Sequence, residues 1–526
     1  MSAGTWRLPE GGDDRPTFLA HAMALSALHG QGPWPGEGYP LPDAAPDPEQ
    51  PFLSGSVADG IATHHGSVRP DQSGACLVAD QLQELVAAGQ PAGAGLDRLH
   101  DTLADRSTLT IADGVSDAIG DRNLPRDRVH AVGRWLAEYG VRRNAVAAGL
   151  VLTGLTGDDR DRDLLLLLGG LEDLTLYAAV ALRSSQPDPD QAMFDLARRV
   201  RGWGRIHAVE RLRGSTDPAI RAWLLREGFR NGVMNSYLAH LAATTGDLYG
   251  ALAETVVDDP LLDGAGDILD ALCVTGGPAA DITSYGDGPA AIERYLTLSG
   301  PRPPTAARVA VVLRLGRFIA SDPAAGLGWT AADRARLALV CASLTARPAW
   351  REVVDRALNA ADLGVFRQAI WPAGQLGIPA RDRIRARLRA DPSDGYLWQS
   401  LADDIDEVLD LAYELLPLAD LATGPTTETG IGGLRSDGVL DLLVSRLGQH
   451  PGKGWPLIRA ALGNRTIRNR NMAVRALRAW PPDTIPAEVA RAVQAAHAAE
   501  PDPKVRDAMR RLLRQWTARP PRRLAP

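Results

Sequence analysis

The sequence predicts an all-α protein of stacked helical hairpins, and three observations carry that expectation. From Gln72 almost to the C-terminus, segments of about 10 to 17 residues with apolar residues at i, i+3, i+4 and i+7 follow one another. Gly, Pro or Asp separates these segments, and no series of alternating strands accompanies them. The Asp-Pro pairs at 188–189, 217–218, 322–323, 391–392 and 502–503 each precede a helical run. Aspartate there caps free N–H groups, and proline fits the first turn. One such hairpin cannot bury its apolar stripe alone, so helix after helix with short connections calls for stacking.

Taken in order, Phe18 to Leu28 reads as a short helix. Residues 31–51 contain GPWPGEGYPLPDAAPDPEQP, whose prolines and glycines prevent a long helix or strand and mark a surface loop. The following SVADGIATHHGSVRPDQSG is polar, which makes 1–71 a short helix within a Pro/Gly-rich irregular region. Helical repeats are expected over 72–275. The glycines and prolines of 276–302 suggest an interrupting loop, after which repeats resume over 303–422. A second loop, TGPTTETGIGGLRS, covers 423–436; basic helical repeats occupy 437–516, and 517–526 is a tail.

A chain of 526 residues can bury a large core, and its 45% hydrophobic and 23% charged content excludes a wholly disordered or fibrous protein. The net charge of −7 is unevenly spread. Residues 451–526 hold 16 Lys+Arg against 5 Asp+Glu, or +11, which leaves −18 for the remainder. Such asymmetry marks a basic arm for nucleic acid, an acidic body complementary to a basic partner, or a solvated helix face. Arg465, Arg468 and Arg470 are expected just before a helix, Arg475 and Arg478 within it, and Arg506, Arg510, Arg511 and Arg514 on another. The aromatic interleaving of a base-stacking platform is missing, so nucleic acid is not the favoured partner. Cys76, Cys273 and Cys341 lie far apart and supply neither a disulfide framework nor a four-thiolate zinc site. No export signal or membrane anchor is read from the sequence, and a reducing cytoplasm is the expected location.

Self-similarity extends the fold argument. DPAIRAWLL (217–225) and DPKVRDAMRRLL (502–513) both place an aliphatic residue and then arginine just inside a helix. RVHAVGRWL (128–136) and NMAVRALRAW (471–480) are looser versions. The pattern resembles the second helix of a HEAT-type repeat, which implies an irregular α-solenoid presenting a concave binding surface. A narrower resemblance covers Leu164 to Gly246, through LTLYAAVAL (174–182), GWGRIHAVERL (202–212) and the segment 223–246, together with NRNMAVRALRAW (469–480). These segments resemble bacterial HEAT-like proteins labelled limonene hydroxylase, and that label implies oxygenation of a monoterpene.

Hydroxylating an unactivated hydrocarbon needs an oxygen-activating cofactor. The residues show no motif for one, and no cofactor or metal is expected. Cys273 and Cys341 read as core cysteines on apolar helical faces. The sequence GQGPWPG (30–36) has neither the spacing nor the following helix of a dinucleotide loop. His64 and His65 sit in the polar stretch, where adjacent side chains point apart. His207 and Glu210, at i and i+3, share a helical face, but the matching Glu-x-x-His of a di-iron site is absent. The acidic run Asp403, Asp404, Asp406, Glu407 and Asp410 reads as a solvated helix start, because its spacing fails as a calcium loop. Neither GxSxG nor a P-loop occurs.

The richest candidate site is therefore the helix carrying Trp203, Arg205, His207, Glu210 and Arg211, extended by Arg226, Asn231, Asn235 and Tyr237. An aromatic ring, an imidazole and paired charges within nine residues suit recognition. The same residues also suit internal packing, salt bridging and turn capping. On this reading the chain is a non-catalytic interaction protein binding a protein or peptide. The alternatives are the hydroxylase implied by the resemblance and a nucleic-acid binder through the basic C-terminal repeats.

Overall fold

A computed structural model describes residues 6–9, 11, 15–36, 38–44, 54–66, 68–427 and 435–517. The described residues contain thirty α-helices and no strand, so the all-α expectation holds. The chain divides into two compact units. Of the described residues, one unit comprises those within 6–44, 54–303 and 311–344, and the other those within 304–310 and 345–517.

The first unit opens with α1 (Phe18–His29), whose N-terminus is capped by the Thr17 hydroxyl accepting from Ala20 N–H. Then come α2 (Gly55–His65), α3 (Gln72–Ala87), α4 (Gly93–Ala104), α5 (Thr108–Asp121), α6 (Arg126–Tyr139) and α7 (Arg143–Thr156). The series continues through α8 (Arg162–Gly169), α9 (Glu172–Ser185), α10 (Pro189–Arg199), α11 (Gly202–Glu210), α12 (Pro218–Trp223), α13 (Ser236–Thr245), α14 (Leu248–Ala253), α15 (Asp259–Leu272) and α16 (Gly288–Ser299). Helices α3, α5, α7, α9, α11, α13 and α15 pack each against the next-but-one helix, while α4, α6, α8, α10 and α16 pack alongside this row. That is the arrangement of stacked helical repeats, in which each unit contacts its neighbours.

Small residues set the closeness of the row. A Cβ on Gly154 of α7 would come within 2.2 Å of Ala181 Cα of α9, and one on Gly133 within 2.9 Å of the Thr153 backbone. The core beneath contains Leu82, Leu96, Leu99, Val129, Val132 and Leu136, all fully buried. Asp188 and Asp217 cap α10 and α12 with a proline in the first turn, as their Asp-Pro pairs predict.

Three sequence expectations are revised. The stretch 55–65 is helical, not irregular. Its buried face is made of Gly55, Ser56, Asp59 and Gly60, so it carries no apolar stripe from which a helix could be read. The segment 276–302 contains α16, which buries Ala291, Ile292, Tyr295 and Leu296; the irregular part ends at the short turn Ile282–Ser284 and its flanks. Arg468 and Arg470 lie inside the helix Ile467–Ala479 rather than before it. The Pro/Gly-rich loop is irregular over 31–36 and 38–44. Its remainder through residue 51, much of the 423–436 loop and the tail after Thr517 lie outside the described residues.

In the second unit, Arg435–Arg446 packs on Ile467–Ala479, which packs on Pro503–Thr517; Trp455–Leu462 and Ala487–Ala499 lie beside them. The acidic run does begin a helix: Asp404 caps Ile405–Leu415, accepting from Glu407 N–H at 3.2 Å. The basic residues of this region are largely engaged internally. Arg465 pairs with Asp437, Arg468 with Asp441 at 2.7 Å, Lys453 with Asp406 at 2.6 Å, and Arg470 with Glu500 at 2.7 Å.

Candidate functional site

The residues singled out in sequence converge in part, around a helix that the periodicity missed. Helix α2 packs on α9 and α11. At its start, Ser56 N–H donates to Asp173 Oδ1 at 2.8 Å. One turn later, Asp59 accepts from the Arg143 guanidinium and from the Tyr177 hydroxyl, the latter at 2.8 Å. Gly60 then lies against Trp203, where an added Cβ would stand 2.1 Å from the indole. These anchors fix the final turn, so that His64 reaches α11 and α13 and His65 reaches α13.

His64 occupies the centre of a ring cluster. Its centroid lies 5.1 Å from Trp203, 5.3 Å from Tyr237 and 5.6 Å from His207, and Trp203 and Tyr237 are 5.1 Å apart. The separations suit edge and offset packing. Its Nδ1 faces the Gly60 carbonyl at 3.1 Å, and its Nε2 faces Glu210 Oε1 at 3.0 Å. Nδ1 also lies 2.9 Å from the Thr63 hydroxyl, which can donate or accept, while a proton on Nε2 serves Glu210. The Glu210 hydrogen bond accordingly raises the His64 pKa. Burial pushes Glu210 upward, but the His64 hydrogen bond and the charges of His64, His207 and Arg211 leave its pKa lowered. His65 bonds the Tyr237 hydroxyl through Nε2.

His207 behaves in the opposite way. It is 3% exposed, its Nε2 has no hydrogen-bond partner in the protein, and burial pulls its pKa down to about 4. Thus His207 and Glu210 share a neighbourhood as their spacing predicts, but Glu210 is bonded to His64. The sequence signal for this partner is the His64-His65 pair itself, which reads as part of an irregular polar stretch only while α2 is not recognised.

The remaining residues of the predicted strip are engaged locally. Arg205 donates to the Val200 and Arg230 carbonyls at 2.9 and 3.1 Å and lies over the Trp223 ring. Arg211 donates to the His207 carbonyl at 2.6 Å, and Arg226 pairs with Asp258 at 2.9 Å. Asn231 is buried and holds a turn, its Oδ1 accepting from Val233 and Met234 N–H at 2.8 and 2.9 Å. Asn235 precedes α13 without a side-chain capping bond. Tyr237 alone of the strip joins the His64 cluster from α13.

Among the described residues, no three His, Cys, Asp or Glu side chains converge so as to hold a metal ion. Burial raises the pKa of the Cys273 thiol and pushes that of Cys341 up to about 11, which opposes thiolate formation.

The pKa shifts predict a pH optimum for the seating of α2. The folded-state pKa of His64 is raised, so its contribution is fully present below the ordinary 6.5 and is lost as pH rises through the folded value. The His207 pKa is depressed, so the unfolded chain takes that proton first and stability falls between about 6.5 and about 4. The lowered Glu210 contributes above its ordinary 4.5 and is lost as pH falls through its folded value. Amide-exchange protection over residues 55–65 is therefore expected to peak near pH 6.5, after correction for intrinsic exchange rates. His64→Gln should remove the decline on the alkaline side; a decline that persists would take His64 out of the explanation.

No family model matches this chain, and no curated protein matches it. Among solved structures, the crystal structure of an engineered protein is similar over 84% of this chain and 99% of its own, at 15% identity and a TM-score of 0.24.

Proposed function

We propose that this chain is a non-catalytic interaction protein, a HEAT-like helical-repeat module that binds a protein or peptide partner at the edge of the His64 cluster. The observation carrying this reading is that the cluster meets the surface beside exposed apolar side chains. The Tyr237 hydroxyl and the exposed His65 lie at its rim. Val233 and Met234, just ahead of α13, are 40% and 45% exposed, and Ile61, one turn before His65 on α2, is 44% exposed. Tyrosine and methionine beside a rigid, buried aromatic support are the residue types that concentrate binding energy at interfaces. Catalysis is less well served, since Glu210 is committed to His64, His65 to Tyr237, and Arg211 to the His207 carbonyl.

Photocrosslinking in the native host tests the reading. Benzoylphenylalanine placed at Val233 is expected to capture one discrete protein adduct, and the same label at the 71%-exposed Leu339 is expected not to. Tyr237→Ala should lower the adduct yield from position 233 several-fold. Identical adducts from both positions, or none from Val233, would refute the proposal.

A further inference from the structure

A second set of residues, separate from the Tyr237 edge, encloses a cavity of about 390 Å³, within the range of small-molecule sites. One wall is the proline loop, which brings Trp34 and Tyr39 over the start of α9 and the connection between α10 and α11. The loop is held in this position. Trp34 Nε1 donates to the Gly30 carbonyl at 2.8 Å, and its ring lies so close to Gly170 that a Cβ there would meet it at 2.9 Å. Tyr39 bonds His29 Nε2 through its hydroxyl at 3.0 Å.

The polar lining is unevenly satisfied. Glu172 and Asp173 face the cavity but already accept backbone hydrogen bonds, from Trp203 N–H at 2.9 Å and Ser56 N–H at 2.8 Å. Arg143 also stands 4.0 Å from Asp173. The two arginines of the lining are less fully compensated: among the described residues neither Arg199 nor Arg201 makes an ion pair, although the charges of Asp195 and Asp163 favour the Arg199 guanidinium from beyond ion-pair distance. Arg199 donates only to Gln31 Oε1, at 3.0 Å, and its burial pulls its pKa below the ordinary value. His21 also lines the cavity, and its buried Nε2 has no hydrogen-bond partner in the protein. An incoming anion would compensate the guanidiniums, and a second polar atom would satisfy His21. Trp34, Tyr39 and the flanking prolines would cover a flat apolar body.

From this lining we infer that the cavity is a binding site for a small organic carboxylate with a planar apolar body, its carboxylate between Arg199 and Arg201 and its ring against Trp34 and Tyr39. The inference is independent of the partner surface proposed above, since the two use different residues.

Calorimetry and saturation-transfer NMR on the full chain test it with a charge-matched pair of probes, 3-phenylpropionate and phenethylammonium. The carboxylate is expected to bind saturably and the ammonium not to bind. Arg199→Ala with Arg201→Ala should weaken 3-phenylpropionate at least tenfold. Arg201→Ala alone should weaken it measurably with an unchanged melting temperature, because that exposed side chain makes no bond in the fold. Saturable binding unaffected by the double variant would overturn the inference, as would phenethylammonium binding equally or better, or no binding of the carboxylate.

Discussion

Arg470→Ala should destabilise the second unit by about 3–5 kcal/mol, the cost of leaving a buried charge without its partner. Arg470 and Glu500 are both fully buried. The guanidinium donates to Glu500 Oε2 at 2.7 Å and Oε1 at 2.9 Å, to the Asn464 and Arg465 carbonyls at 2.9 and 2.6 Å, and to the Thr426 carbonyl at 2.6 Å. The fork geometry of arginine matches all five acceptors, which three lysine donors cannot do, so Arg470→Lys should restore little. Arg468→Ala is the internal comparison. Arg468 also pairs with a carboxylate, that of the buried Asp441, but its own side chain is 58% exposed, so water can take its place there and the loss should be smaller. Urea unfolding followed by amide exchange over 435–446, 467–479 and 503–517 would show the difference. Equal effects of the two alanine variants would contradict the role given to the buried pair.

These two arginines stand two residues apart in a segment whose charge excess, read in sequence, suggests a uniform basic face. The distinction between them is made at the tertiary level, by a carboxylate thirty residues away in the chain. Sequence reading succeeded where the signal was local. Apolar periodicity located the helical blocks, and Asp-Pro pairs located the starts of α10 and α12. It failed at α2 because that helix is fastened by a glycine against an indole and an aspartate against an arginine eighty-four residues away, neither of which leaves a 3.6-residue pattern. The candidate site was legible in the same partial way. The face shared by Trp203, His207 and Glu210 follows from spacing, whereas the imidazole that joins all three follows only from the position of α2.

That dependence leads to the second large effect, Arg143→Ala, for which we expect a local loss of about 3–5 kcal/mol centred on α2. The Arg143 guanidinium is nearly buried and satisfies three groups: the Asp59 carboxylate, the Asp173 carbonyl at 2.9 Å and Asn144 Oδ1 at 3.3 Å. Without it, Asp59 remains buried with only the Tyr177 hydroxyl for compensation, and desolvation favours withdrawing the carboxylate into water. Withdrawal requires α2 to leave α9, which also takes His64 from Glu210 and His65 from Tyr237. Residues 55–65 should therefore lose most of their exchange protection, and diethyl pyrocarbonate should modify His64 and His65 faster. The core around Leu82, Leu96 and Leu136, which does not include α2, should change much less. If charge burial is the cause, neutralising the stranded partner should recover part of the loss. Asp59→Asn, whose side-chain oxygen can still accept from Tyr177, should make the double variant more stable than Arg143→Ala alone. A double variant as unstable as the sum of the two singles would instead assign the effect to lost packing of the arginine stem against the Tyr177 ring, whose centre lies 5.5 Å from the guanidinium.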